Sequence, residues 1–208
     1  RVIGDMMGRL DDHTSLIVLS DHGFCTLEKE IYVNYWLQQQ GWLQFHTAEP
    51  KSIEDMSDSS IAYSLDPGRV FINLKGREKT GRVDATDYES WRERIAAAAM
   101  ELTDPDSGRP IFQRVARREE IYHGPLLERA ADLILIPNDG FDPKGPVNKS
   151  ALSFKGPALV GMHTYHDAAL IVAGQRINRD SLWVADVMPT ILELMNVEPP
   201  ADLDGQSL

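Results

Sequence analysis

Leu16, Ile17, Val18 and Leu19 form a short apolar run that stops abruptly at Ser20, Asp21, His22 and Gly23. A run this short and this rich in branched aliphatics suits a strand buried on both faces of a sheet. The polar stop sets a carboxylate and an imidazole side by side at the strand's carboxyl end, the edge at which open α/β sheets place their ligand sites. Neighbouring strand residues face opposite ways, so Asp21 and His22 share a target only if the backbone leaves strand geometry there. Gly23, tolerant of positive φ, is expected to allow that turn. Together they offer a hard oxygen donor and an imidazole nitrogen, a pair suited to zinc and similar divalent ions. The plainer alternative is a polar loop in which Asp21 caps the next segment.

The rest of the chain alternates short apolar runs with helical patterns. Val2, Ile3, Met6, Met7 and Leu10 recur at helical spacing and feed the strand at Leu16. Ile31, Tyr35, Trp36 and Leu37 predict a second helix ended by Gly41. Residues 49–60 are polar and read as a surface loop, and Val70, Ile72 and Leu74 alternate as a strand does. Thr86 and Glu89 have capping-box spacing ahead of a helix whose apolar face is Trp91, Ile95, Ala99 and Leu102. Residues 132–137 form a further apolar strand, followed by a long stretch, 138–160, without periodicity. Residues 168–173 predict a last strand, closed by Gly174, and Asp186 an N-cap for a helix with Pro189 in its first turn. This alternation predicts an α/β fold: a doubly wound, mainly parallel sheet with helices on both faces. Residues from about 42 to 82 interrupt it and read as a small insert or cap.

Residues 15–24 (SLIVLSDHGF) resemble the Ser-Asp-His-Gly-Phe segment of the alkaline phosphatase superfamily, in particular its type I phosphodiesterase and nucleotide pyrophosphatase branch. Three further stretches resemble that branch in the same order: residues 62–78 (AYSLDPGRVFINLKGRE), 161–174 (GMHTYHDAALIVAG) and 186–205 (DVMPTILELMNVEPPADLDG). The resemblance covers essentially the whole chain and corresponds to the C-terminal portion of one catalytic domain. It implies hydrolysis of phosphate esters, chiefly phosphodiesters, by two divalent ions, zinc or alternatively manganese. It also implies that Asp21 and His22 bind one ion and that His163, in the Gly-x-His position, binds the other. His166 competes for that last role. Asp167 is expected to orient the loop or its neighbouring histidine, and residues 122–125 (Tyr-His-Gly-Pro) to serve in packing or at the site's rim.

In the family the nucleophile is a Thr or Ser after an upstream strand, and an Asp-x-x-x-His segment supplies further ligands. Asp5 is not that segment, because Arg9 stands where the histidine belongs. The expected partner is therefore an N-terminal part of the same protein, and this portion alone is expected to be inactive and to bind metal weakly. A sulfatase or a cofactor-independent phosphoglycerate mutase of the same superfamily, or a non-catalytic α/β binding module, remain the alternatives.

Charge and cysteine content narrow the partners. Lys plus Arg total 21 against 32 Asp plus Glu, a formal net charge of -11, which argues against a phosphate-backbone footprint and so against nucleic acid. No apolar run reaches the roughly 18 residues of a membrane span. Cys25 is the single cysteine, so no internal disulfide forms, which favours a cytoplasmic setting; beside the Asp-His turn it reads as packing rather than as a nucleophile.

Overall fold

The computed structural model describes residues 1–173, 179 and 181–208; Gly174, expected to close the last strand, lies outside them. In chain order the elements are α1 (Val2–Met7), β1 (Ile17–Leu19), β2 (Gly23–Thr26), β3 (Lys29–Tyr32), α2 (Val33–Gln39), β4 (Ala62–Leu65), β5 (Arg69–Ile72), α3 (Tyr88–Met100), β6 (Phe112–Arg117), α4 (Arg118–Ile121), β7 (Leu133–Pro137), β8 (Phe141–Lys144), β9 (Ser153–Phe154), β10 (Gly161–Thr164), β11 (Leu170–Val172) and α5 (Val187–Leu194). They fall into two compact units, one from Arg1–Phe24 with His163–Leu208 and one from Cys25–Met162.

In the Cys25–Met162 unit, β4, β5, β7 and β6 form a sheet in that order, antiparallel throughout. The turn joining β4 to β5 is far too short for the crossover a parallel pair needs, so this pairing was bound to be a hairpin. β7 is the apolar run of residues 132–137, buried almost throughout between its two neighbours. α3 packs on β5, β6 and β7, burying Arg92, Ile95 and Ala99 at the i, i+3, i+7 spacing of one helix face. A second sheet has the order β8-β3-β9, with β3 parallel to β8 and antiparallel to β9. Pro143 lies in the edge strand β8, where its missing N–H is tolerated. Residues 42–82 supply β4 and β5, and their Trp42, Ala62, Val70 and Ile72 share one core with Ile95, Leu133 and Phe141. The unit thus extends well beyond the predicted insert. Its two ends meet, because the Leu27 N–H donates to the Val160 carbonyl at 3.0 Å.

Asp132, fully buried, is the polar pivot of this core. Its carboxylate accepts two hydrogen bonds from Arg77 (2.7 and 2.6 Å), one from the Tyr88 hydroxyl and one from the Ile72 N–H (2.6 Å). Arg118 lies 3.5 Å from it. The buried charge is thereby both paired and hydrogen-bonded, the condition on which a core carboxylate is tolerated.

In the other unit, β1 and β11 pair antiparallel, Ile17 opposite Val172 and Leu19 opposite Leu170. α1 buries none of its residues, and Leu19 and Ile171 on the strand pair are also exposed. Asp186 precedes α5 as expected, but its side chain does not cap that helix. It accepts the N–H groups of Trp183 (2.9 Å) and Gln206 (2.8 Å) and pairs with Arg179. Burial works to raise its pKa, yet those donors outweigh burial and hold the carboxyl below its usual range.

Several expectations are corrected. The α/β composition holds, but the described strands pair mostly antiparallel instead of forming a doubly wound parallel sheet. β1 is half-exposed, not buried on both faces. Ile31 belongs to β3, so α2 starts at Val33; Gly41 follows its end at φ 72° as expected. The Thr86–Glu89 capping box does not form, because Asp87 precedes α3 and Glu89 pairs with Arg92 and Arg117. Residues 138–160 contain β8 and β9.

Candidate functional site

The Asp-His turn is fastened first by the backbone around it. The Ser20 N–H donates to the Ala169 carbonyl (2.9 Å) and the Ser20 Oγ accepts the Ala169 N–H (2.8 Å), which locks the end of β1 to the residue before β11. His22 Nδ1 lies 2.8 Å from the Gly23 carbonyl, and as that oxygen can only accept, Nδ1 carries the proton. His22 Nε2 lies 3.3 Å from Asp21 Oδ1. The His163 ring stacks on the His22 ring with centroids 3.7 Å apart and planes 21° from parallel, and the Phe24 ring is tilted against His163 at 6.0 Å. Asp21, His22 and His163 are therefore brought together in one unit, although residues 25–162 separate them in sequence.

Gly23 makes that juxtaposition possible, by a different route from the one expected. Its φ is not positive. A Cβ there would fall well inside contact distance of the His166 carbonyl and of Thr164 Oγ1. The residue is needed because another backbone passes directly over it. Thr164, nearly buried, donates from Oγ1 to the His166 carbonyl at 2.8 Å, and Asp167 takes the left-handed conformation at φ 67°, which Asp visits more readily than most residues. The loop after β10 is shaped by Thr164 and Asp167 so that it closes over Gly23. Ser20 and Thr164 escaped sequence reasoning; their only signal was a small hydroxyl residue beside each histidine segment.

The donor set can be tested against a metal ion on geometry. Two ligands of a tetrahedral ion bonded at about 2.0–2.1 Å stand about 3.3 Å apart, and Asp21 Oδ1 and His22 Nε2 are separated by 3.3 Å. Metal-bound histidines donate their other ring N–H to a carbonyl or carboxylate, as His22 Nδ1 does to Gly23. The Asp21 side chain is 79% exposed and that of His22 33%, so the pair is open to a ligand. The same 3.3 Å also suits a plain ion pair if the imidazole is doubly protonated. Among the described residues no group of three or more His, Cys, Asp or Glu converges as a metal cage. The pair fits one ion as part of a site, not as a closed one.

The family model for type I phosphodiesterase / nucleotide pyrophosphatase matches residues 1–166. The chain belongs to that family. Three of the four stretches on which the resemblance rests begin within the matched residues, including the one that carries His163. No curated protein matches the sequence. Membership makes this chain part of a group of hydrolases acting on phosphodiester and pyrophosphate bonds, with a phosphate ester as the substrate class. Among the described residues no helix of this phosphodiesterase-family chain is long and apolar enough to cross a membrane. His166 contributes its backbone carbonyl to the loop closure, while the ring stacked on His22 is that of His163.

Proposed function

We propose that this chain carries part of the active site of a metal-dependent phosphodiesterase, in which Asp21 and His22 hold one divalent ion and His163 holds a second. Zinc suits the oxygen and imidazole donors best, with manganese as the alternative. The observation that carries the reading is the stack of His22 and His163. The two rings stand with centroids 3.7 Å apart, so ions held by the two imidazoles would be neighbours, as two-metal phosphoryl transfer requires. A pair of such ions, when bound, supplies charge neutralisation at the attacking and leaving oxygens.

The chain's own residues have simpler tasks. His22 keeps one tautomer by giving Nδ1–H to Gly23, which leaves the Nε2 lone pair beside the Asp21 carboxylate. Gly23 and Thr164 hold the two histidine segments in register. Three donors are fewer than two sites require, so the remaining ligands and a Thr or Ser nucleophile would come from another part of a longer protein in an alkaline phosphatase-like domain. The exposed apolar residues of α1 and of the β1–β11 pair are surface that such a part would cover. The family membership favours this branch over a sulfatase or a phosphoglycerate mutase.

The test is a Zn²⁺ titration followed by the imidazole NMR signals of His22 and His163, with Asp21→Ala and His163→Ala as variants. Both rings are expected to shift together, Asp21→Ala abolishing the His22 response and His163→Ala its own. A longer protein containing this chain should hydrolyse a nitrophenyl phosphodiester and lose that activity on either substitution. Histidine signals indifferent to Zn²⁺ and Mn²⁺ would instead make the Asp21–His22 contact a structural ion pair in a binding module.

A further inference from the structure

The two imidazoles of the site are held by different means. His22 gives Nδ1–H to the Gly23 carbonyl and sets Nε2 beside Asp21, so hydrogen bonding fixes its ring. The His163 ring has no hydrogen bond among the described residues. A metal-bound histidine ordinarily gives its other ring N–H to a carbonyl or carboxylate, and that bond sets the ring's orientation. Without it the ring turns about χ2, a torsion with broad minima. The ring contacts of His163 are with His22 and with Phe24.

Phe24 stands on β2 and His163 on the neighbouring strand β10. Alternation along β2 turns Gly23 and Cys25 to the covered side and Phe24 and Thr26 to the exposed side. Phe24 is 69% exposed and joins no core cluster. A single exposed aromatic is ordinary. What sets this one apart is that its ring meets that of His163, tilted by 49° with centroids 6.0 Å apart, within the range of a favourable aromatic pair. A stack by itself sets a ring's plane but not its place within that plane. A second ring at a tilt supplies the missing restraint.

We infer that Phe24 is a positioning residue of this site: its ring, together with that of His22, holds the His163 imidazole where it takes up an ion. The ion itself rests on the metal reading above; the restraint rests on the ring geometry. The competing role is a cross-strand aromatic pair that only stabilises the strands, and its loss would act on both histidines alike. Zn²⁺ is titrated into the chain and into its Phe24→Ala and Phe24→Tyr variants while the imidazole signals of His22 and His163 are followed by NMR, with ring-to-ring NOEs recorded before metal is added. In Phe24→Ala the His22–His163 NOEs should weaken, and the His163 response should need about three- to tenfold more Zn²⁺, the scale of one aromatic pair. His22 should respond as in the wild type, because Gly23 and Asp21 still hold it. Phe24→Tyr keeps a ring and should restore both readings. The thermal midpoint should stay near the wild-type value, as Phe24 is mostly exposed. The inference is overturned if Phe24→Ala leaves the NOEs and the His163 response unchanged, if both histidines lose their response together, or if Phe24→Tyr restores neither reading. A wild-type chain whose histidines ignore Zn²⁺ defeats the metal reading instead, and the metal-free NOEs then decide alone whether Phe24 holds the ring.

Discussion

Gly23 is where a single atom matters most. An added Cβ has the His166 carbonyl and the Thr164 hydroxyl in its way, and neither is the free end of a flexible chain. Gly23→Ala is expected to cost roughly 1–3 kcal/mol as overpacking and to separate the His22 and His163 rings. Denaturant unfolding would measure the first effect, and ring-to-ring NOEs with the Zn²⁺ response the second. Gly41→Ala is the control: it too sits in a turn, at φ 72°, but with open space around it, so it should lower stability while leaving the histidine pair intact. Asp21 and His22 could be picked out as a donor pair from their place at the end of an apolar run, and His163 only through the family resemblance. The reason for Gly23 could be picked out in neither way, since sequence cannot distinguish a residue that needs an unusual dihedral from one that must let a distant strand pass.

At the scale of elements, the apolar strand β7 and the helix α3 were legible, one from a continuous aliphatic run, the other from buried positions one turn apart. What joins them is the Asp132 cluster, assembled from Arg77, Tyr88 and Arg118 on separate elements, and no local pattern announces it. Asp132→Ala leaves the half-buried Arg77 and the buried Arg118 facing an empty site and is expected to cost about 3–5 kcal/mol, read from the denaturant midpoint of the Cys25–Met162 unit. α3 and α4 are further linked by Glu119, which takes hydrogen bonds from Arg92 and Arg118. Burial opposes ionisation of Glu119, but Arg92, its own backbone N–H and Arg118 prevail and hold its pKa down at about 2, below the ordinary 4.5 of a glutamate. A depressed carboxylate contributes stability above its unfolded value and loses it as protons are added. Thermal midpoints should therefore fall as pH drops from about 4.5 towards 2, and Glu119→Gln should flatten that part of the profile. β8 and β9 were hidden for the opposite reason: two short strands, one containing Pro143, exist only because β3 lies between them.

For the whole molecule, the parallel sheet expected from alternating strands and helices gave way to antiparallel pairing because strand adjacency depends on link lengths and long-range partners that periodicity does not encode. The division into two units carries its own prediction. If Asp21, His22 and His163 hold metal, Zn²⁺ should slow amide hydrogen exchange within Arg1–Phe24 and His163–Leu208 and leave the core strands of Cys25–Met162 unchanged. Uniform protection of both units would contradict the assignment.

The hydrogen bond between Leu27 and Val160 has a consequence for how the site comes into being. His22 leaves the ribosome long before His163, and an unstructured tether between them would have to be closed against chain entropy. A folded intervening unit closes that tether, because Leu27 and Val160, each two residues in from its ends, lie side by side. The histidines then need to find each other across only a few residues. In this sense residues 25–162 behave as a self-fastening clasp.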